Sequence, residues 1–392
     1  MTARPQETRP QETRPQESRP QESRPQESGV GGEAAVDGDP GAAFELTPFD
    51  ADAADAARER LDRLTKPPGS LGRLEELAVQ LCGIAGQCPP PLPRPAGVAV
   101  FAGDHGVLAE GVSPWPAEVT AQMVHNFLGG GAAINVFARM AGATVEVIDV
   151  GVATQLSSRP GLTLAKVRPG TGNLRVEDAM TLEEARAALE VGAAVARRLV
   201  AAGATALVTG DMGIANTTPS AALVAAFTGR DVESVTGRGT GIDEPTWRKK
   251  VDVVADGLRR AGLTGPEVAA AAPLQALAAV GGLEQAALAG FCLAGAAARV
   301  PVVLDGVIAV SAALVARALV PDVVDFLVAG HRSSEPGATV GLDHLGLRPL
   351  LELELRLGEG TGGALALPLL EAAARVLVEM ATFAEAAVTD VR

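Results

Sequence analysis

Short apolar runs that stop abruptly at glycine and polar residues recur five times along this chain. They are GVAVFAGDHG at Gly97–Gly106, TVEVIDVGV at Thr144–Val152, TALVTGDMGIANTT at Thr205–Thr218, PVVLDG at Pro301–Gly306 and VVDFLVAGHRSSEPG at Val323–Gly337. Runs of this kind, rich in β-branched residues and lacking polar alternation, suit strands buried on both faces. Alanine-rich stretches such as Leu182–Ala202 lie between them and suit helices that cross from one parallel strand to the next. The expected fold is therefore α/β, a Rossmann-like, mostly parallel sheet flanked by helices. Ligands of such sheets bind beyond the carboxyl ends of the strands, so Asp104, Asp211, Asp305 and His331 are expected to face one crevice.

The amino-terminal part of the 392-residue chain departs from this pattern. Arg4–Ser28 is five tandem copies of RPQE followed by Thr or Ser, and the residues to Ala43 are rich in Gly, Ala and acidic side chains. With proline in every repeat and no large apolar side chain, residues 1–43 cannot offset their own ordering entropy and are expected to be a disordered tail. They also lack the apolar segment of a signal peptide. Residues 91–364 are assigned to an α/β catalytic domain, and 44–90 with about 365–392 to a smaller helical domain. Alanine-rich runs such as Ala286–Ala298 meet Arg299 and Pro301 before the ~20 apolar residues of a membrane span, so a cytoplasmic, soluble protein is expected. The three cysteines form no CxxC pair and no zinc-like grouping with the four histidines, and Cys292 reads as a buried structural thiol. A formal charge of -14 repels nucleic acid at long range, so any phosphate recognition has to be local.

LELELRLGEGTGGALA at Leu351–Ala366 places one carboxylate, Glu359, among glycines where a strand-like alternation gives way to an apolar helix-like run. A carboxylate there either serves chemistry or is solvated in a turn. GDMGIANTT combines Asp211 and Gly213 with Asn216 and two threonines, one of which is expected to cap the following helix. The same helix start offers free N–H groups to an anion. GRGTGID, with WRKK at Trp247–Lys250, and GHRSSEPG are read as parts of a phosphate clamp, or as a solvated basic face and a polar turn. Asp104 and His105 are neighbours, but adjacent residues of an extended run point apart, and no HxxxH or GxSxG pattern supports a metal or a triad. Gly358, Gly360 and Gly363 satisfy GxGxxG only formally, because the match lies far from the first βα unit.

Ten ordered motifs together resemble the nicotinate mononucleotide:dimethylbenzimidazole phosphoribosyltransferase family of cobalamin lower-ligand synthesis. Besides those above they include KPPGSLGRLEELA at Lys66–Ala78, GVSPWPAEVTAQM, DVGV and VGGLEQAALAG at Val280–Gly290. The resemblance implies transfer of phosphoribose from nicotinate mononucleotide to dimethylbenzimidazole, giving α-ribazole phosphate and nicotinate with anomeric inversion. It implies a homodimer without metal or cofactor. Its general base lands on Glu359, and its second carboxylate on Asp211, where this chain has Asp for Glu and Ala215 for Gly. Its phosphate ligands fall on Lys250 and Ser333, with the bases near Ser113 and Gln122, and Gly213, Asn216 and Gly358 count among the substrate-binding positions. The whole reading requires Glu359 to share a cleft with Lys250 and Ser333. The alternatives are transfer to another base, hydrolysis by a nucleosidase, and a nucleotide-binding regulatory module.

Overall fold

The computed structural model describes residues 44–390, together with the first two, so the expectation for the repeat tail lies outside the described residues apart from Met1 and Thr2. Among the described residues six strands form one sheet: β1 (Ala96–Gly103), β2 (Thr144–Gly151), β3 (Leu162–Leu164), β4 (Ala206–Met212), β5 (Val302–Leu304) and β6 (Leu327–Ala329). Every pairing is parallel, in the order β3-β2-β1-β4-β5-β6. The order reverses between β1 and β4, and at such a point the connections leave toward opposite faces and open a crevice.

All five anticipated strands are present; β3 was not anticipated. It is a three-residue edge strand whose residues stay partly exposed, so no buried apolar run marks it. The expected strand-like run from Leu351 does not form. Only Leu351 makes a bridge, to His331, and the chain then runs irregularly with Leu353 and Leu357 exposed. Without a buried face, alternation of Leu and Glu gives a strand nothing to pack on.

Along β1 the side chains divide between two cores. Ala99 and Phe101 join the core that holds the helices Leu182–Ala201, Leu283–Ala297 and Val307–Leu319, while Val98, Val100 and Ala102 join the other. On that second face lie the helices Ala51–Arg63, Arg73–Ala85, Ala133–Ala141 and Thr361–Glu379. The first and last of these are tied by the Arg60 side chain, which donates to the carbonyl of Leu377 at 2.5 Å, and by a bridge between Leu64 and Thr382. Thr361–Glu379 is long and apolar enough to cross a membrane, but 56% of its apolar window is buried inside the protein.

A chain with only 3% aromatic residues fills its core by bringing backbones together. The helices Leu182–Ala201 and Leu283–Ala297 meet at two glycines. A Cβ at Gly192 would stand 1.7 Å from the carbonyl oxygen of Ala287, and one at Gly290 would stand 1.9 Å from that of Leu189. Such a methyl cannot be accommodated without separating the helices, so Gly290→Ala is expected to destabilise the fold by about 1–3 kcal/mol or more. Urea unfolding should show a lower midpoint with an unchanged slope; an unchanged midpoint would contradict this packing.

Candidate active site

The crevice beyond the carboxyl ends of the strands holds a cavity of about 820 Å³ of empty space, its mouth included. Its wall brings together Ser113, Asp211, Gly213, Asn216, Lys250, Ser333 and Gly358, seven of the nine positions singled out from sequence. Gln122 is not among them: it lies on the exposed side of the helix Glu118–Leu128. Glu359 is the residue after the last one that reaches the cavity. It sits behind Gly358, 5% exposed, with the amide of Ile134 donating to its Oε2 at 3.4 Å.

The turn that carries Glu359 is unusual. Gly358, Glu359 and Gly360 all have positive φ, at 83°, 66° and 94°. Glycine tolerates this region, but a residue with a Cβ is strained there. A side chain at 358 would also meet Asp211, since a Cβ there would lie 3.1 Å from its Oδ2. The turn is held by Asp305, which follows β5. Asp305 accepts hydrogen bonds from the amides of Gly360 (3.0 Å), Gly362 (2.7 Å) and Gly363 (3.1 Å), the start of the helix Thr361–Glu379. His331, after β6, places Nε2 3.3 Å from the same carboxylate. Burial pushes the Glu359 carboxyl up to about 7; the Ile134 amide opposes that shift and the Asp305 charge adds to it.

Asp211, at the end of β4, is driven well above the carboxylate range, chiefly by burial and then by the charges of Asp305 and Glu284. Its Oδ2 accepts from the Asn216 side chain at 2.9 Å, while Oδ1 is buried with no hydrogen-bond partner among the described residues. A protonated Oδ1 is a donor awaiting an acceptor. Asn216 occupies the cap position of the helix Thr217–Thr228 without making a side-chain cap, and its Nδ2 donates to Asp211. This corrects the expectation that Thr217 or Thr218 would be the cap. Behind Asp211, Glu284 lies 3.1 Å from His105 Nε2, both fully buried. Asp104 turns elsewhere, to the amide of Ala153 at 2.8 Å. Of the four groups expected to face one crevice, Asp211 and His331 line it; Asp104 and Asp305 instead satisfy backbone amides.

On the far wall, only one of the WRKK cations turns inward. Lys250, 1% exposed, donates to Thr217 Oγ1 at 2.8 Å and to the carbonyl of Gly237 at 3.1 Å. An ammonium carries three donors, so one is left for a ligand. Burial lowers Lys250 to about 8, and the nearby Glu335 charge opposes the shift. Arg248 pairs with Glu244 at the surface. Glu335, which the sequence reading quoted within GHRSSEPG without assigning it, is the residue that ties two loops together. Its Oε1 accepts from the amide of Gly239 at 2.7 Å, joining the glycine turn to the serine turn. Arg356 adds a second link by donating to the Gly239 carbonyl at 3.0 Å. Cys292 is buried and its thiol is pushed up to about 12, which fits a structural role.

A parallel sheet with a crevice at its switch point places the chain among α/β proteins that bind small molecules there. A family described as Phosphoribosyltransferase matches residues 46–388. The chain is 59% identical to the nicotinate-nucleotide–dimethylbenzimidazole phosphoribosyltransferase of Salinispora tropica, over 88% of this chain and 97% of that one. It is 54% identical to the enzyme of the same name from Thermus thermophilus, over 85% and 97%. The crystal structure of CobT from Thermus thermophilus superposes with a TM-score of 0.82 at 53% identity, covering 86% of this chain and 99% of that one. The chain belongs to the nicotinate-nucleotide–dimethylbenzimidazole phosphoribosyltransferase family.

The raised Glu359 carboxyl has a stability consequence. The folded protein keeps this proton to about pH 7, whereas an unfolded chain releases it near 4.5. Its stabilising contribution is complete below 4.5 and is lost as pH rises through 7. Glu359→Gln does not titrate, so its stability relative to wild type should rise by about 1–3 kcal/mol between pH 4.5 and pH 8. A stability difference between the two proteins that is constant across this range in urea unfolding would refute a buried, raised carboxyl. A second change concerns Ala215, which has φ 74°. Ala215→Gly is expected to stabilise by up to about 1 kcal/mol through release of that strain, measured as a higher unfolding midpoint.

Proposed function

We propose that the chain transfers the phosphoribosyl group of nicotinate mononucleotide to 5,6-dimethylbenzimidazole, releasing nicotinate and forming α-ribazole 5'-phosphate in cobalamin synthesis. The observation that carries this reading is a crevice walled by Lys250, Ser333, Asp211 and Gly358, with the buried Glu359 carboxyl, pushed up to about 7, one residue beyond that wall. In the donor the nicotinate ring is a pyridinium. As its bond to the anomeric carbon breaks, the electron pair returns to the ring nitrogen, so nicotinate leaves neutral at that atom without an acid. Positive charge builds on the ribose. The acceptor attacks from the opposite face through one nitrogen and must lose the proton of its other nitrogen, which passes to the Glu359 carboxylate. In this reading Glu359 exchanges its long bond to the Ile134 amide for the acceptor's N–H, and Gly358 lets the acceptor approach.

Lys250 and Ser333 take the 5'-phosphate, aided by the start of the helix Thr217–Thr228. A dianion restores the charge that burial costs Lys250. Asp211, neutral and held by Asn216, donates from Oδ1 to the acceptor or to a ribose oxygen, and Gly213 allows close backbone approach. Ser113 borders the acceptor end, and Gln122 reaches it only if its helix or side chain shifts inward. The reading also carries a cytoplasmic homodimer, on the strength of the family resemblance and the free thiols.

Glu359→Gln should retain both KM values and lose about 10²- to 10⁴-fold in kcat, while in wild type kcat/KM should rise with pH through about 7 as Glu359 ionises. Wild-type turnover by the Gln variant would remove Glu359 from the reaction. Lys250→Ala and Ser333→Ala should raise KM for the mononucleotide and leave that for the benzimidazole largely unchanged; equal effects on both would argue against phosphate contact. Release of nicotinate without any acceptor would favour hydrolysis over transfer.

A further inference from the structure

Asp305 does not itself line the cavity, yet it is a heavily engaged carboxylate directly behind its wall. It is 1% exposed and accepts three amides of the turn that follows Glu359, from Gly360, Gly362 and Gly363. Two further contacts fix its own position. Thr209 Oγ1 accepts from the Asp305 amide at 3.0 Å while donating to the Val303 carbonyl at 3.2 Å, which locks the end of β5 to β4. His331 is confined between Asp305 and the turn itself: its Nε2 stands 3.3 Å from Oδ1, and a Cβ at Gly362 would lie 1.9 Å from its ring. The strained φ of Glu359 thus persists because the residues after it are bound to a carboxylate that cannot move.

The geometry points to Asp305, backed by Thr209 and His331, as the positioning residue for the general base: its carboxylate clamps the three amides that hold the Glu359 turn in its left-handed conformation. This rests on the reading of Glu359 as the base. The same negative charge lies close enough to Glu359 to help keep its proton on to near neutrality. The ionisable groups around Glu359 are Asp211 from β4, Asp305 after β5 and His331 beyond it. The His105–Glu284 pair lies behind Asp211, and the helix Ala133–Ala141 contributes only the Ile134 amide. Asp305 is thus the anionic group that both fixes the turn and acts on its titration.

The test is the pH profile of Asp305→Asn. An amide retains one acceptor oxygen but neither the charge nor the second acceptor, so kcat should fall at least about tenfold with both KM values within about threefold. The acid limb of kcat/KM should move down by about half a pH unit or more. Loss of folded enzyme alone lowers the amplitude and leaves the limb in place. A limb at its wild-type pH, whatever the amplitude, overturns the inference. Should Asp305→Asn not fold, Thr209→Val removes the hydroxyl that seats Asp305 while keeping its charge. That variant should lose about three- to tenfold in kcat with KM retained, and wild-type kcat would overturn the inference. Glu359→Gln separates the two failures. If that variant is impaired while Asp305 variants behave as wild type, the base stands and its positioning does not; if Glu359→Gln turns over normally, the parent reading has failed.

Discussion

Four carboxylates, on Asp211, Glu284, Asp305 and Glu359, are withdrawn from water at one end of a parallel sheet, and the site is organised around what each receives in return. An isolated buried charge costs several kcal/mol, so each must find donors, share a proton or stay neutral. Asp305 takes three backbone amides at a helix start, the partner the helix dipole favours for an anion. Glu284 sits against His105. Asp211 and Glu359 receive too little to stay ionised at acid pH, and both shift upward. Compensation thus separates Asp305 from Asp211 and Glu359, whose carboxyls shift upward.

Lys250 mirrors this arrangement with opposite sign. Burial lowers it, and its hydroxyl and carbonyl partners compensate only part of the cost. A protein of net charge -14 gains little long-range attraction for a phosphate, so in the proposed reaction the phosphate rests on this one desolvated ammonium and on nearby amides. Glu335 stabilises the loop that contributes one of Lys250's acceptors, through the Gly239 amide. Lys250, on the helix Glu244–Arg260, and Glu359, in the turn before the helix Thr361–Glu379, thus come from different elements.

Much of this was legible in the sequence, for definite reasons. β1 and β4 announce themselves because a strand buried on both faces needs a nearly continuous apolar run, and the Asp211 that closes the β4 run falls at the crevice. β3 left no such signal, being a partly exposed edge, and the Leu351 run gave a false one, because alternation alone does not say whether a face is available to bury. The glycines around Glu359 correctly marked a special turn. What no spacing revealed is the direction of a side chain: Asp104 and Asp305 follow apolar runs just as Asp211 does, yet they turn to backbone amides. Glu335 was passed over for the same reason, since its partner, the Gly239 amide, is 96 positions away.

Asp211 and Ala215 belong to one local arrangement. Asp211 lies in β4 beneath Gly358, and the chain must then turn sharply into the helix Thr217–Thr228, with Ala215 at φ 74°. A shorter acid draws its carboxyl back toward the strand, where Asn216 at the turn's exit can donate to it. Asn216 makes that bond from the cap position of the helix, directly after Ala215 with its positive φ. In the proposed reaction Asp211, held by its bond to Asn216, is the donor and Glu359 takes the proton.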